Sequence, residues 1–153
     1  MEKIFVFLHV LGAMLFLGNI ITTAFWKLQA DRSRDPEQRH RAALAVMRAD
    51  YALTIPGLIL LVVFGVLTAH AYGYSMAELN WLTASIGLFA LSGILWGAVL
   101  LLCQLAMIRH SESGIPSGEL PKAYDQASAR WNLWGTVNTI IPIIVLFLMV
   151  VKP

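Results

Sequence analysis

Apolar residues run almost unbroken through four stretches of the chain, roughly Ile4–Trp26, Tyr51–His70, Trp81–Ile108 and Trp131–Val151. Each reaches the about 20 residues that a helix needs to cross the hydrocarbon layer of a bilayer. The first, IFVFLHVLGAMLFLGNIITTAFW, is also patterned. At about 100° per residue, His9, Gly12, Phe16, Asn19 and Thr23 fall within one narrow arc of a helix. The rest of that run is Leu, Ile, Val, Phe, Met and small residues, which lipid accepts. Trp26, Tyr51, Trp81, Trp131 and Trp134 stand at predicted segment ends, where amphipathic rings settle at headgroup level. The pattern predicts an all-α fold: a four-transmembrane-helix up-and-down bundle forming a single integral membrane domain over residues 1–153.

Polar positions between the runs lengthen two of the helices. Asp35-Pro36-Glu37-Gln38 reads as an N-cap, a proline at the first helical position and a capping-box partner. AALAVMRADYALTI then continues without a breaker, so the second span begins as a helix outside the bilayer, and Pro56 is expected to kink it just inside. Ser111–Gly118 is turn-rich, with Gly114, Pro116 and Gly118. From Glu119 onward the helical pattern returns and runs into the fourth span. Helices two and four are thus extended beyond the membrane on one side, into the cytoplasm.

Charge supplies the direction. Nine of the eleven Lys and Arg residues lie in the two long connections: Lys27, Arg32, Arg34, Arg39, Arg41, Arg48, Arg109, Lys122 and Arg130. Lys3 and Lys152 are on the other side. The positive-inside rule then puts both connections in the cytoplasm and both termini outside. On this reading His9 and His70 lie near the outer face. Asn19 and Asn138 each lie roughly 10 Å from the inner boundary, at 1.5 Å rise per residue. The two asparagines are placed to bond each other or to share a partner such as Thr54 or Gln104.

Composition agrees: 58% hydrophobic, 13% charged and a net charge of +2 are a membrane balance, with no dense basic patch for nucleic acid. Met1-Glu2-Lys3 lacks the positive region of a signal peptide, so the first run reads as a retained span. A single cysteine, Cys103, excludes an intrachain disulfide and a Cys-pair metal site. No span holds Asp, Glu, Lys or Arg in its middle, which argues against a charged relay or ion pathway. HExxH, CxxC, Gly-rich phosphate loops and paired carboxylates are missing. Gly93-x-x-x-Gly97, Gly57 and Gly65 are expected at close helix contacts, with Ser85, Ser92, Trp96 and Cys103 on another face of the third span.

His9 is the remaining residue with chemistry. A neutral imidazole ligates haem iron, and an apolar four-helix interior can house a porphyrin. His70, at similar depth on the next helix, is the candidate second axial ligand. Asn19, Trp96 and Asn138 would line the interior. The plainer reading gives His9 a backbone carbonyl or interfacial water, and the asparagines a role as interhelical hydrogen-bonding glue. His40 and His110 flank arginines and read as solvated.

His9-Val-Leu-Gly12 with Phe16 and Gly18, Met47-Arg48, Ile55-Pro56-Gly57, Phe64-Gly65-Val66-Leu67, and Asn138-x-x-x-Pro142 before Val150-Val151-Lys152-Pro153 resemble the CopD/HemJ-like four-helix membrane proteins. The resemblance covers all four spans. Within that group the chain is most similar to bacterial predicted integral membrane proteins of unknown function. For the HemJ-type protoporphyrinogen oxidases, the resemblance implies haem b on the first-helix histidine, here His9. Those enzymes carry a lysine just after the tryptophan that opens the third helix; here Ser85 stands near that position, which argues against protoporphyrinogen oxidation and leaves enzymatic activity undecided. CopD-type copper uptake would want several soft donors, and none cluster with His9.

The leading expectation is therefore a small haem-b or porphyrin-handling redox protein of the bacterial inner membrane. A non-catalytic accessory or scaffold subunit, packed against a partner subunit or a second copy, is the alternative. A copper or small-solute transporter is least favoured.

Overall fold

The computed structural model describes residues 1–153 and is all-helical, with no strand. Four long apolar helices carry the chain: α1 (Glu2–Ser33), α2 (Pro36–Ala71), α3 (Trp81–Ser117) and α4 (Lys122–Val151). Successive helices are joined by short connections, so neighbours run antiparallel, as short loops require. The start of α2 follows the sequence signals closely. Asp35 is the N-cap, Pro36 opens the helix, and the Glu37 backbone N–H donates to Asp35 Oδ1 at 3.0 Å.

The two ends of the bundle are held together differently. Around the α1–α2 and α3–α4 connections the helices overrun the hydrophobic spans and bury an apolar core. Ala43 and Val46 of α2 meet Leu100, Cys103 and Met107 of α3 and Tyr124, Ala127 and Trp131 of α4. We call this the extended end. Toward the chain termini, lipid is as apolar as leucine and close backbone approach takes over. A Cβ on Gly12 would meet the Leu61 backbone nitrogen at 2.5 Å and the Gly57 carbonyl at 2.8 Å; one on Gly57 would meet the Phe16 nitrogen at 2.9 Å. Gly65 is closed by the His9 ring.

Gly93 and Gly97 differ from expectation. Neither has a neighbour within 4 Å of a Cβ, so the GxxxG face of α3 is turned away from the other helices of the bundle. The inward face is the serine face: Ser85, Ser92 and Cys103 are buried.

Pro56 does not break α2. One wide, π-type turn over Asp50–Thr54 precedes it, closed by the Ile55 N–H on the Asp50 carbonyl, and the helix continues from Ile55 to Ala71. A second π-type turn, Trp96–Leu100, lies in α3. Such turns insert one residue into the helix and are frequent at functional sites. At the terminal end, Lys152 Nζ donates to Tyr74 Oη at 3.0 Å and lies over the Tyr74 and Trp81 rings, tying the C-terminus to the α2–α3 connection.

Candidate functional site

The polar arc of α1 faces inward: Gly12, Phe16, Asn19 and Thr23 are buried, and His9 is half-buried. The arc extends one turn beyond Thr23, and one residue beyond the predicted span, to Lys27, which is 1% exposed. The hydropathy pattern assigned Lys27 to a charged connection; α1 in fact runs on to Ser33. Asp50 corrects the expectation in the same way. It lies one residue before the predicted second span and is helical, as the unbroken pattern implied, but it is enclosed, at 5% exposed.

Asp50 is the hub of one polar level. Asn19 Nδ2 donates to Thr54 Oγ1 at 2.8 Å and to Asp50 Oδ1 at 3.2 Å. The Thr54 hydroxyl donates to the same Asp50 oxygen at 2.9 Å, and Gln104 Nε2 donates to Asp50 Oδ2 at 2.9 Å. Thus α1, α2 and α3 each send a side chain to one carboxyl group. The π-type turn at Asp50–Thr54 places Asp50 and Thr54 together on this face; Thr54 is the partner expected for Asn19. No Lys, Arg or His forms a salt bridge with Asp50, whose partners are neutral donors.

Beside this hub is a cleft of about 380 Å³ between α1, α3 and α4, with Val46 and Asp50 contributed by α2. Asp50, Gln104 and Asn138 are polar members of its lining, and Trp96 and Trp131 are its aromatic walls. Ile21, Phe25 and Ile140 also belong to it and are exposed on the outside of the bundle. The cleft therefore opens sideways between α1 and α4, toward lipid.

Three side-chain atoms in this lining are buried without a hydrogen-bond partner: Gln104 Oε1, Asn138 Oδ1 and Trp131 Nε1. A fourth group is freed by sequence. Pro142 lies inside α4 and has no N–H, so the Asn138 carbonyl loses its donor four residues on. A buried polar group left unsatisfied costs about 1–3 kcal/mol; three of the six such atoms in the chain share this one cleft, which points to a ligand or water there.

A family model described as a predicted integral membrane protein (DUF2269) matches residues 3–153. The chain belongs to that family. No curated protein and no solved structure matches it. Membership agrees with the four spans and assigns no chemistry to them.

Within this family member the expected site residues separate into two places. His9 Nδ1–H donates to the Leu61 carbonyl at 2.8 Å, which fixes the tautomer because a carbonyl only accepts. The ring is seated on Gly65. Metal-ligating histidines are often held this way through one nitrogen. His70, however, is exposed, and neither histidine belongs to the lining of the cleft. Trp96, Asn138 and the Asn19–Asp50 hub lie at the other level. The residues present therefore do not assemble a bis-histidine haem site. Asn138 and Asn19 are both buried, but Asn19 is satisfied by Thr54 and Asp50 whereas Asn138 Oδ1 is not. His40, read as solvated, is half-buried and pairs Nδ1 with the Ser111 hydroxyl at 2.8 Å.

One turn below the cleft lies a second buried cluster that the sequence pattern did not single out. Lys27 Nζ donates to Asp31, Ser128 and Asn132, and lies 5.2 Å from the Trp131 ring centroid. Its charge is matched by Asp31 and its donors by three oxygens. The i, i+4 spacing of Lys27 and Asp31 was a readable signal for the pair.

Proposed function

We propose that this protein is a membrane-embedded binding protein that takes an amphiphile into the cleft beside Asp50, entering sideways between α1 and α4. The single observation that carries the reading is the combination of a lipid-facing mouth with a polar floor that holds a buried acidic side chain and orphaned polar atoms. An ionisable residue enclosed in a membrane bundle marks a functional site by default. The charge count supports an extended end facing the cytoplasm, and with it a cleft near the inner-leaflet boundary of a bacterial inner membrane. The same reading keeps the CopD/HemJ-like resemblance as a kinship of architecture and asks no redox step of His9.

The test uses the protein in lipid nanodiscs with three photoreactive probes. Each has the same diazirine-bearing alkyl tail and an amine, alcohol or carboxylate head. At least one should label residues 20–28 and 131–140 saturably, with unlabelled amphiphile competing. Labelling that is non-saturable for all three, or spread evenly over lipid-facing residues, contradicts the proposal.

A further inference from the structure

We infer that the amphiphile is a protonated primary amine, its ammonium held at Asp50, Gln104 and Asn138; this rests on the cleft being a binding site at all. The cleft and an ammonium head are complementary. The cleft lining contains one ionisable residue, Asp50, and no Lys, Arg or His. The acid already receives hydrogen bonds from Asn19, Thr54 and Gln104, all neutral. No cation stands opposite it.

The orphaned atoms point the same way. Gln104 is 2% exposed and spends its amide N–H on Asp50, so its Oε1 is left over as an acceptor. Asn138 is 3% exposed, its Oδ1 has no partner, and Pro142 removes the helical donor to its main-chain carbonyl. A primary ammonium carries three N–H donors and no acceptor. Asp50, Gln104 and Asn138 offer it three oxygens. Trp96 and Trp131, in the same lining, are indoles of the kind that attract cations.

The protein already builds this arrangement once. Lys27 is an ammonium held by a carboxylate, a hydroxyl and an amide oxygen beside the Trp131 ring. The cleft next to it has a carboxylate, two amide oxygens and the indoles of Trp96 and Trp131, without an ammonium. A bare metal ion would leave most of the about 380 Å³ unused, whereas an alkyl chain fills it and leaves past Ile21, Phe25 and Ile140. Trp131 Nε1–H, the one orphaned donor in the cleft lining, suits a hydroxyl or carbonyl oxygen near the amine.

Competition in phosphatidylcholine nanodiscs tests the head chemistry. Dodecylamine should displace the amine probe at about tenfold lower concentration than dodecanol, dodecyl sulfate or dodecyltrimethylammonium, a difference worth about 1.4 kcal/mol. The trimethylated compound keeps the charge and loses the donors, so it separates hydrogen bonding from charge alone. Asp50→Asn should erase the preference. Equal displacement by all four compounds overturns the amine assignment while leaving the cleft as a binding site. No saturable labelling by any probe overturns both. Because Asp50→Asn is able to disturb folding, the wild-type comparison stands by itself. Replacing part of the phosphatidylcholine with phosphatidylethanolamine distinguishes the source. Weaker apparent dodecylamine binding then identifies a lipid headgroup as the amine; unchanged binding identifies a free long-chain amine.

Discussion

His9 and Asp50 occupy two levels of the α1–α2 interface, near the chain termini and near its middle, and their surroundings differ in one decisive respect. His9 gives its Nδ1–H to a backbone carbonyl and rests on a glycine that has no side chain to push it away. Asp50 collects three neutral donors from three helices, meets no cation, and borders a cleft with orphaned acceptors. One level is closed and the other is open. A polar residue in a membrane helix is thus informative less by its type than by what its neighbours leave unmatched.

The largest effect expected is on the helix contact that joins the two levels. Gly12→Leu places a side chain where even a Cβ meets backbone at 2.5 Å. It should destabilise the bundle by about 3 kcal/mol, at the upper end of overpacking costs. Unfolding in mixed detergent micelles measures this, and an unchanged midpoint would mean that α1 and α2 do not pack as described. Gly93→Leu, on the open face of α3, is the control and should move the midpoint by less than about 0.5 kcal/mol.

Removing a donor from the hub comes next. Asn19→Leu deletes two hydrogen bonds to the Asp50–Thr54 pair, at a cost of about 1–2 kcal/mol if the carboxyl is charged. A cost near the 0.6 kcal/mol average for hydrogen bonds in membrane bundles would indicate a neutral hub. His9→Ala removes one bond to a carbonyl and opens space at Gly65, and should cost about 1 kcal/mol. A reduced-minus-oxidised spectrum of protein expressed with ample haem should lack a stoichiometric Soret band; a band that His9→Ala removes would restore His9 as an axial ligand. The smallest effect belongs to Asn138→Leu. It removes an unmatched acceptor, so the empty bundle should be unchanged or stabilised by up to about 1 kcal/mol, while amine binding weakens.

Most of the fold was legible in the sequence because span length and hydropathy are properties of consecutive residues. So was the inward arc of α1, from a single helical period. The Asp35-Pro36 start of α2 was written in local capping chemistry. The site was legible only in part. Asn19, Thr54, Gln104, Trp96 and Asn138 stood out as polar or aromatic residues within spans, and Thr54 is indeed the partner of Asn19. Asp50 and Lys27 did not stand out, because each falls a single residue outside an apolar run. Hydropathy reports what lipid tolerates, and it is silent on what neighbouring helices enclose at the edge of a span. The π-type turns that set Asp50 and Trp96 against the cleft depend on packing between helices. Pro56 was the only local hint of either. Gly93 and Gly97 show the reverse case: a packing motif that the other helices leave uncovered.

The most direct test of the difference between the two levels is photolabelling by the alkyl amine probe in three proteins under identical conditions. Wild type and His9→Ala should label residues 20–28 and 131–140 to the same saturable extent. Asp50→Asn, shown folded by its helical circular dichroism and monodisperse elution, should need about tenfold more amine probe to reach the same labelling. Loss in His9→Ala with retention in Asp50→Asn would place the chemistry at the other end of the bundle and contradict the account.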